Sequence, residues 1–466
     1  MKILSELLED VKVLESHGNL DAGVFSPSLN SKEIEPHSIF VAITGNIIDG
    51  HSFIDEVIEK GATTIVYEKD IKDFKAGVTY VKVADTHTAV GVIASNFYDN
   101  PSRKMKLVGV TGTSGKTTTA TLLHQLFRNL GYKVGLIGTV VNKINDKEEV
   151  AHRTTPDAVT LNELLARMVD DGCEYCFMEV SSHSVSEKRI SGLSFVGGIF
   201  TNLTLDHLDY HKSIENYCDA KKGFFDIIQS TGFAVANIDD GKGEYMLSTT
   251  KAHTHTFSLK KSADFNERFE SKLIGEFNAY NLLGIYAAAV LLGQDKDKIR
   301  EAIKNLEAVP GRFQYFKSEN GVTGIVDYAH KPDALENVLK TINEMKGKGK
   351  VITVVGCGGD RDKSKRPIMA KIGYDMSDIL ILTSDNPRTE KPEDIIEEMK
   401  KGLEGLYLEG KVYIITDRGD AIEKACSLAH DGDFILVAGK GHENYQEVNG
   451  VQTHFDDLEE LEKYLK

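Results

Sequence analysis

The sequence predicts an α/β protein of three domains, the central one a P-loop domain on a parallel sheet and the last one Rossmann-like. Short apolar runs alternate with helix-like segments, the pattern of strands that cross over through helices into parallel sheets. The runs in the last third end in polar or Gly-rich turns, where open α/β sheets bind their ligands. At 466 residues the chain also exceeds what one hydrophobic core organises.

The first block, residues 1–102, carries the strand-like runs SIFVAI, ATTIVY and VTYVKV among helix-like segments. The stretch YDNPSRKMK reads as a linker, because Asn100-Pro101 interrupts regular structure and a basic cluster follows. The second block, 103–312, opens with the run LVGVTG. A helix over TTTATLLHQLFRNLG follows, with Gly131 as its cap. Further strands are expected at CFMEV, GGIFTNL and FAVANI. The third block, 313–466, has its own strands: GVTGIVDYA, VITVVGCGG, ILILTSD, KVYIIT and FILVAG.

Composition narrows the class. With 41% hydrophobic and 27% charged residues the chain is an ordinary globular one. A formal net charge of -16 argues against general nucleic-acid or anionic-membrane binding. It leaves room for an anionic ligand, because local cations and helix termini decide that. The opening MKILSELLEDVKV shows no signal peptide, and no run approaches the ~18 apolar residues of a membrane span. Five dispersed cysteines fit a reducing, cytoplasmic setting. Cys173 and Cys176 form a lone C-x-x-C inside an apolar run, which reads as buried thiols rather than a metal or redox pair.

The residues that carry chemistry begin at VTGTSGKTTT. Gly112 and Gly115 allow a tight backbone whose N–H groups face phosphates, with Thr113 and Ser114 between them. Lys116 supplies charge, Thr117 reaches a magnesium ion, and Thr118 follows in the first helical turn. The generic P-loop pattern would place its first Gly at Val110. In CFMEVSSHS an acid, Glu179, ends a strand beside the P-loop, the expected place for a magnesium ligand. A solvated strand-end Glu would read the same. Asp206, His207, Asp209 and His211 crowd one turn, a density that suits either a metal or a helix cap. In IENYCDAKKGFFDII, Lys221 shares a helix face with Tyr217, Phe224 and Phe225. A lysine snorkelling to solvent satisfies that spacing, and so does a partly buried functional one. In the third block Arg361, Asn386, Arg388, Lys440, His442 and Glu443 stand in strand-end loops, and Arg grips a carboxylate bidentately.

Together the strings TGTSGKTT, TTPDA, MEVSSH, TNLTLDHLDYH, AKKGFF, GEFNAYN, PGRFQ, VDYAHKPDAL, GCGGDRDKSKRP, DNPRTE and AGKGHENYQ resemble the Mur ligase family along nearly the whole chain. The likeness is greatest to its diaminopimelate-adding type. The resemblance implies a UDP-binding domain, an ATP-binding domain and a domain that closes over ATP and holds an incoming amino acid. It implies ATP-dependent activation of UDP-N-acetylmuramoyl-L-alanyl-D-glutamate as an acyl phosphate, then attack by the amine of meso-2,6-diaminopimelate, by a monomeric enzyme.

Residue by residue, the resemblance makes Thr117 and Glu179 ligands of Mg2+, with His207 at a second ion. It makes Lys221 a carbamylated lysine. It puts Asn281, Arg312, Asp327 and His330 at ATP, and Thr154, Thr155, Ser181 and Arg189 at the muramoyl peptide. Ser31, Thr44 and His51 match the uridine region, although Asn30-Ser31-Lys32 departs from the family's usual Asp-Ser-Arg. Arg361, Asp385, Asn386, Pro387, Arg388, Gly439 and Glu443 match the diaminopimelate site, where a second carboxylate separates that amino acid from lysine. Three rivals remain: a folylpolyglutamate-type ligase, a P-loop switch GTPase and a non-catalytic relative. The SSH and DNPR strings oppose the first. Asn145 in NKIND opposes the second, since guanine reading needs Asp there. Intact Lys116, Glu179, His207 and Lys221 oppose the third.

Overall fold

The computed structural model describes residues 1–45 and 48–465, with the side chain of Asp209 outside the described residues. The chain divides into two compact units, Met1–Glu267 with Leu283–Ala302, and Arg268–Leu282 with Ile303–Lys466.

The first unit contains two main sheets. The smaller runs in the order Val13–His17, Thr79–Val83, Thr64–Tyr67, Ile39–Val41, Pro27–Ser28. Its first pair is antiparallel and the rest are parallel. The larger has eight strands, in the order Lys147–Val150, Val141–Ile144, Val134–Ile137, Tyr175–Glu179, Lys106–Thr111, Phe195–Phe200, Ile228–Asn237, His253–Phe257. An antiparallel hairpin closes one edge, and the other six strands are parallel. Strand residues point alternately to opposite faces. Phe177 therefore meets Phe127 of the helix Lys116–Asn129 on one face, ring centroids 4.9 Å apart. Cys176 and Met178 join the core of Leu161, Leu165, Met168 and Phe224 on the other. Helices cover both faces, as near-continuous apolar strands require.

The stretch expected to be a linker packs instead. Pro101–Arg103 forms a short 3-10 turn, Pro101 and Ser102 are buried, and Ser102 Oγ accepts the Ser194 amide at 3.0 Å. The apolar face of Pro101 and the capped hydroxyl outweigh the polar composition of the segment.

The second unit holds a six-stranded sheet in the order Gln314–Lys317, Thr323–Asp327, Phe434–Ala438, Val351–Val355, Ile379–Leu382, Val412–Ile414. Only Gln314–Lys317 runs antiparallel to its neighbour. Helices Pro332–Met345, Lys365–Met376 and Pro392–Lys400 bury Leu335, Leu339, Met369 and Ile395 on one face. Arg418–Leu428 and Asp457–Leu465 bury Ile422 and Leu461 on the other. This is the Rossmann-like layering expected of the last block. No helix among the described residues is long and apolar enough to cross a membrane.

Candidate active site

The loop after strand Lys106–Thr111 turns at Gly112, whose φ of 151° suits glycine. A Cβ there would stand 1.9 Å from Thr201 Oγ1. Gly115, φ 85°, then leads into the helix Lys116–Asn129. The loop is buttressed by the segment following strand Phe195–Phe200. Asn202 Oδ1 accepts the Ser114 amide at 2.9 Å, and Thr201 Oγ1 donates to the Ser114 carbonyl at 2.7 Å. Thr113 Oγ1 sits 3.1 Å from the Tyr217 hydroxyl and accepts the Thr204 amide at 3.0 Å. Such external bracing leaves the helix N-terminus open to an anion.

Two lysines converge on this loop. Lys116 Nζ donates to the carbonyls of Gly112 and Thr113 at 2.8 and 2.9 Å. Lys221 Nζ donates to the same Gly112 carbonyl at 2.7 Å and lies 4.6 Å from the centroid of the Tyr217 ring. Lys221 is 1% exposed, so it does not snorkel. Its neighbour Lys222 does the bland work, hydrogen-bonding Thr249 and pairing with Asp226.

Glu179 ends the strand next to the P-loop strand and is 1% exposed. One carboxylate oxygen accepts the Thr139 amide at 2.7 Å. The other accepts the hydroxyls of Thr139 and Thr117, each at 3.0 Å. A carboxylate, a P-loop hydroxyl and a phosphate-binding turn fit magnesium. That ion prefers oxygen ligands and completes its shell with phosphates and water. Among the described residues no group of three or more His, Cys, Asp or Glu side chains forms a metal cage. His207 caps the short helix Leu208–His211 with φ 53° and pairs with Asp206 at 3.0 Å. Its ring lies edge-on to His183, centroids 4.8 Å apart. His211, instead, is buried with Nε2 2.9 Å from Ser182 Oγ. Cys173 and Cys176 are free, buried thiols.

Thr154, Thr155, Ser181 and Arg189, the residues expected at the muramoyl peptide, gather at the end of the same strand. Thr155 Oγ1 donates to the Glu179 carbonyl at 2.9 Å and accepts the Ser181 amide at 3.2 Å. Arg189 Nη1 donates to the Thr155 carbonyl at 3.0 Å and pairs with Glu187. Thr154 Oγ1 sits 3.1 Å from Thr139 Oγ1. In the smaller sheet, Thr44 Oγ1 donates to Glu68 at 2.7 Å. His51 Nε2 accepts the Glu68 amide at 3.1 Å, so its proton is on Nδ1, 2.8 Å from Asp49. Lys69 and His51 hold the Asp49 carboxyl well below the usual range. The Ser31 carbonyl takes Lys60 Nζ at 2.8 Å.

In the second unit, Asn386 is 1% exposed and its amide orientation is set from both ends. Its Oδ1 accepts Lys440 Nζ at 3.0 Å and the Glu447 amide at 2.9 Å, while Nδ2 donates to Glu443 at 2.7 Å. Burial and then the nearby Asp385 push the Glu443 carboxyl up. Gly439, φ 122°, lets Asp385 approach; a Cβ would meet its carboxylate at 2.6 Å. After the buried Pro387, Arg388 has φ 52° and gives Nη1 to the Gly359 carbonyl at 2.9 Å. Arg388 and the exposed Arg361 flank Gly358. Arg312 lies over the Tyr328 ring at 4.5 Å. Burial lifts the Asp327 carboxyl to about 6, where it accepts the Phe313 amide at 2.6 Å. Burial also drives His330 well below its ordinary value. Its Nδ1 donates to the Tyr328 carbonyl at 2.8 Å, leaving Nε2 as the acceptor. Asn281 Nδ2 donates to Asn278 at 3.3 Å.

Comparison with known proteins identifies a family. Three family models match: the Mur ligase family catalytic domain over residues 28–98, the Mur ligase middle domain over 110–289, and the Mur ligase glutamate ligase domain over 311–441. A UDP-N-acetylmuramoyl-L-alanyl-D-glutamate–2,6-diaminopimelate ligase from Bacteroides fragilis is 52% identical, covering 99% of this chain and 98% of that relative. The chain belongs to the Mur ligase family.

A namesake from Cytophaga hutchinsonii is 51% identical over 97% of both chains. A solved structure under the same ligase title superposes with TM-score 0.72 at 30% identity, covering 100% of this Mur ligase and 99% of that chain. A folylpolyglutamate synthase from Mycobacterium tuberculosis shares the fold alone, with TM-score 0.59 at 16% identity. Sequence reasoning missed several residues of this Mur ligase's site. Thr139, Asn202, Tyr217 and Tyr328 touch the assigned residues through contacts remote in sequence. Tyr217 had a signal in its four-residue spacing from Lys221, and Asn202 and Tyr328 lie inside the strings TNLTLDHLDYH and VDYAHKPDAL; Thr139 had none.

Proposed function

We propose that this Mur ligase uses ATP to join meso-2,6-diaminopimelate to the D-glutamyl carboxylate of UDP-N-acetylmuramoyl-L-alanyl-D-glutamate, a step in making peptidoglycan precursors. One observation carries the reading. The same strand-end loops hold the Arg388 guanidinium, anchored on the Gly359 carbonyl, and the half-buried Glu443 carboxylate, anchored on Asn386, a cation and an anion complementary to the amino-carboxyl end that diaminopimelate has and lysine lacks.

A carboxylate is a poor electrophile. Its oxygen attacks the γ-phosphorus of ATP, ADP leaves, and the acyl phosphate then loses phosphate when the amine forms the amide bond. Two anions must approach for the first step. The Gly112–Thr117 backbone and Lys116 stabilise the phosphates, and Asn281, Arg312, Asp327 and His330 keep the ATP role of the family pattern. Thr117 and Glu179 would hold Mg2+, with His207 at a second ion; the metal supplies charge neutralisation between phosphates. Thr154, Thr155, Ser181 and Arg189 orient the muramoyl peptide, and Ser31, Thr44 and His51 the uridine end. Lys221 is assigned as an N6-carboxylysine, formed when its neutral amine adds CO2 and loses a proton. Its burial against the P-loop supports that role. The chain is taken to work as a cytoplasmic monomer in three parts, 1–102, 103–312 and 313–466.

The test is phosphate release with the UDP-muramoyl dipeptide and diaminopimelate, lysine or ornithine in turn. Release with diaminopimelate is expected. Silence with all three sinks the ligase reading, and preference for lysine sinks the specificity.

A further inference from the structure

Arg366 is fully buried yet stands among none of the residues assigned to a substrate. Its guanidinium makes a two-pronged bond to Glu390, Nη1 at 2.9 Å and Nη2 at 2.8 Å. Nη2 also reaches the Gly358 carbonyl at 3.2 Å, and Nη1 reaches Glu398 at 2.7 Å. Glu390, held down to about 2 chiefly by Arg366, in turn accepts the Asp360 amide at 2.6 Å. So one buried cation ties two loops together: the Gly-rich loop carrying Arg361 and the turn carrying Arg388.

The two loops are zipped further. Gly359 donates to the Asn386 carbonyl at 2.9 Å, and Thr389 Oγ1 donates to Asp360 at 2.7 Å. Asp360 and Arg388 both take left-handed backbone, φ 54° and 52°, a conformation that side-chain residues hold only when surroundings impose it. A Cβ at Gly359 would strike the Pro387 carbonyl at 1.9 Å, so the loops interlock at backbone distance.

We propose that Arg366, through Glu390, is the positioning residue of the amino-acid site. It sets the Arg361 loop against the Arg388 turn, and discrimination in favour of a second carboxylate depends on that brace. The inference rests on the diaminopimelate reading above. Planar recognition is sensitive to small misplacement, so loosening the brace acts on amino-acid selection before it acts on ATP or the nucleotide substrate.

Glu398 provides the control. It also bonds Arg366 but lies on the helix Pro392–Lys400, outside both loops. Three variants, Glu390→Gln, Glu398→Gln and the milder, exposed Thr389→Ala, are assayed as full-length enzyme for KM and kcat with diaminopimelate and lysine. Glu390→Gln is expected to raise KM for diaminopimelate about tenfold and to shrink the preference over lysine by a similar factor. KM for ATP and for the UDP-dipeptide should hold. Thr389→Ala should move the preference the same way by about threefold, and Glu398→Gln by less than either. If Glu390→Gln fails to fold, Arg366→Lys, which keeps the charge but not the two-pronged bond, takes its place with the same expected loss of preference. Unchanged preference in the loop variants, or equal loss in Glu398→Gln, overturns the brace while a diaminopimelate-selective wild type keeps the functional reading. A wild type indifferent to diaminopimelate overturns both.

Discussion

Glu179→Gln separates a catalytic carboxylate from a merely structural one. The native carboxylate takes three hydrogen bonds, from the Thr139 amide and from the hydroxyls of Thr139 and Thr117. Glutamine keeps one oxygen for the amide. Its NH2 then faces two hydroxyls, which can rotate to accept. The variant loses charge assistance in all three bonds, about 1 kcal/mol each, and relief of burying a charge offsets part of it. The net cost to folding is therefore below ~3 kcal/mol, at ~2–4 °C of Tm per kcal/mol. The cost to catalysis is larger, because a negative charge is removed where phosphate and magnesium must be balanced. A loss of about 100-fold or more in kcat is expected. Phosphate release measured against magnesium concentration, with Tm by circular dichroism, reads both effects. Activity within a few-fold of wild type refutes the magnesium role. A loss matched by collapse of Tm refutes the separation of catalysis from folding.

Lys221→Ala should abolish phosphate release, and a short-chain carboxylate added to the assay should restore part of it; full activity in the variant ends the carbamate assignment. Arg388→Lys replaces a planar fork by a point charge, so KM for diaminopimelate should rise about tenfold with KM for ATP unmoved, and parallel changes in both would refute a local role. Burial raises the Asp327 carboxyl to about 6, so the folded chain holds that proton more tightly than the unfolded chain. Its stability contribution is whole below about pH 4 and is lost as pH rises toward 6. Asp327→Asn removes that loss. Denaturant unfolding should show the variant gaining on wild type across that window, by up to about 3 kcal/mol, and a pH-independent difference would refute it.

Much of the fold was legible because it is local. Apolar runs announced the central parallel strands of both large sheets but not Val134–Ile137, Val141–Ile144, Lys147–Val150, His253–Phe257 or Gln314–Lys317, and Gly131, φ 93°, closes the P-loop helix where the sequence put its cap. The phosphate loop was legible because its glycines, lysine and threonine act through backbone geometry only a few residues long. The burial of Lys221 was not, since the same helical spacing permits a snorkelling lysine. The packed turn at Pro101–Arg103 was misread for a like reason: polar composition cannot reveal a hydroxyl that Ser194 will bond.

By itself, the sequence determined the α/β class, the family and the P-loop, and it supplied the roster of site residues that the proposed function uses. Each depends on residue identity at short spacing. Only the tertiary structure decided that Lys116 and Lys221 meet at one carbonyl, that Thr139 completes the hold on Glu179, and that Arg366 ties Glu390 to the Gly358 carbonyl. Those contacts join residues far apart along the chain. Burial of polar groups there is tolerable only when distant partners satisfy them, and no local pattern encodes a distant partner.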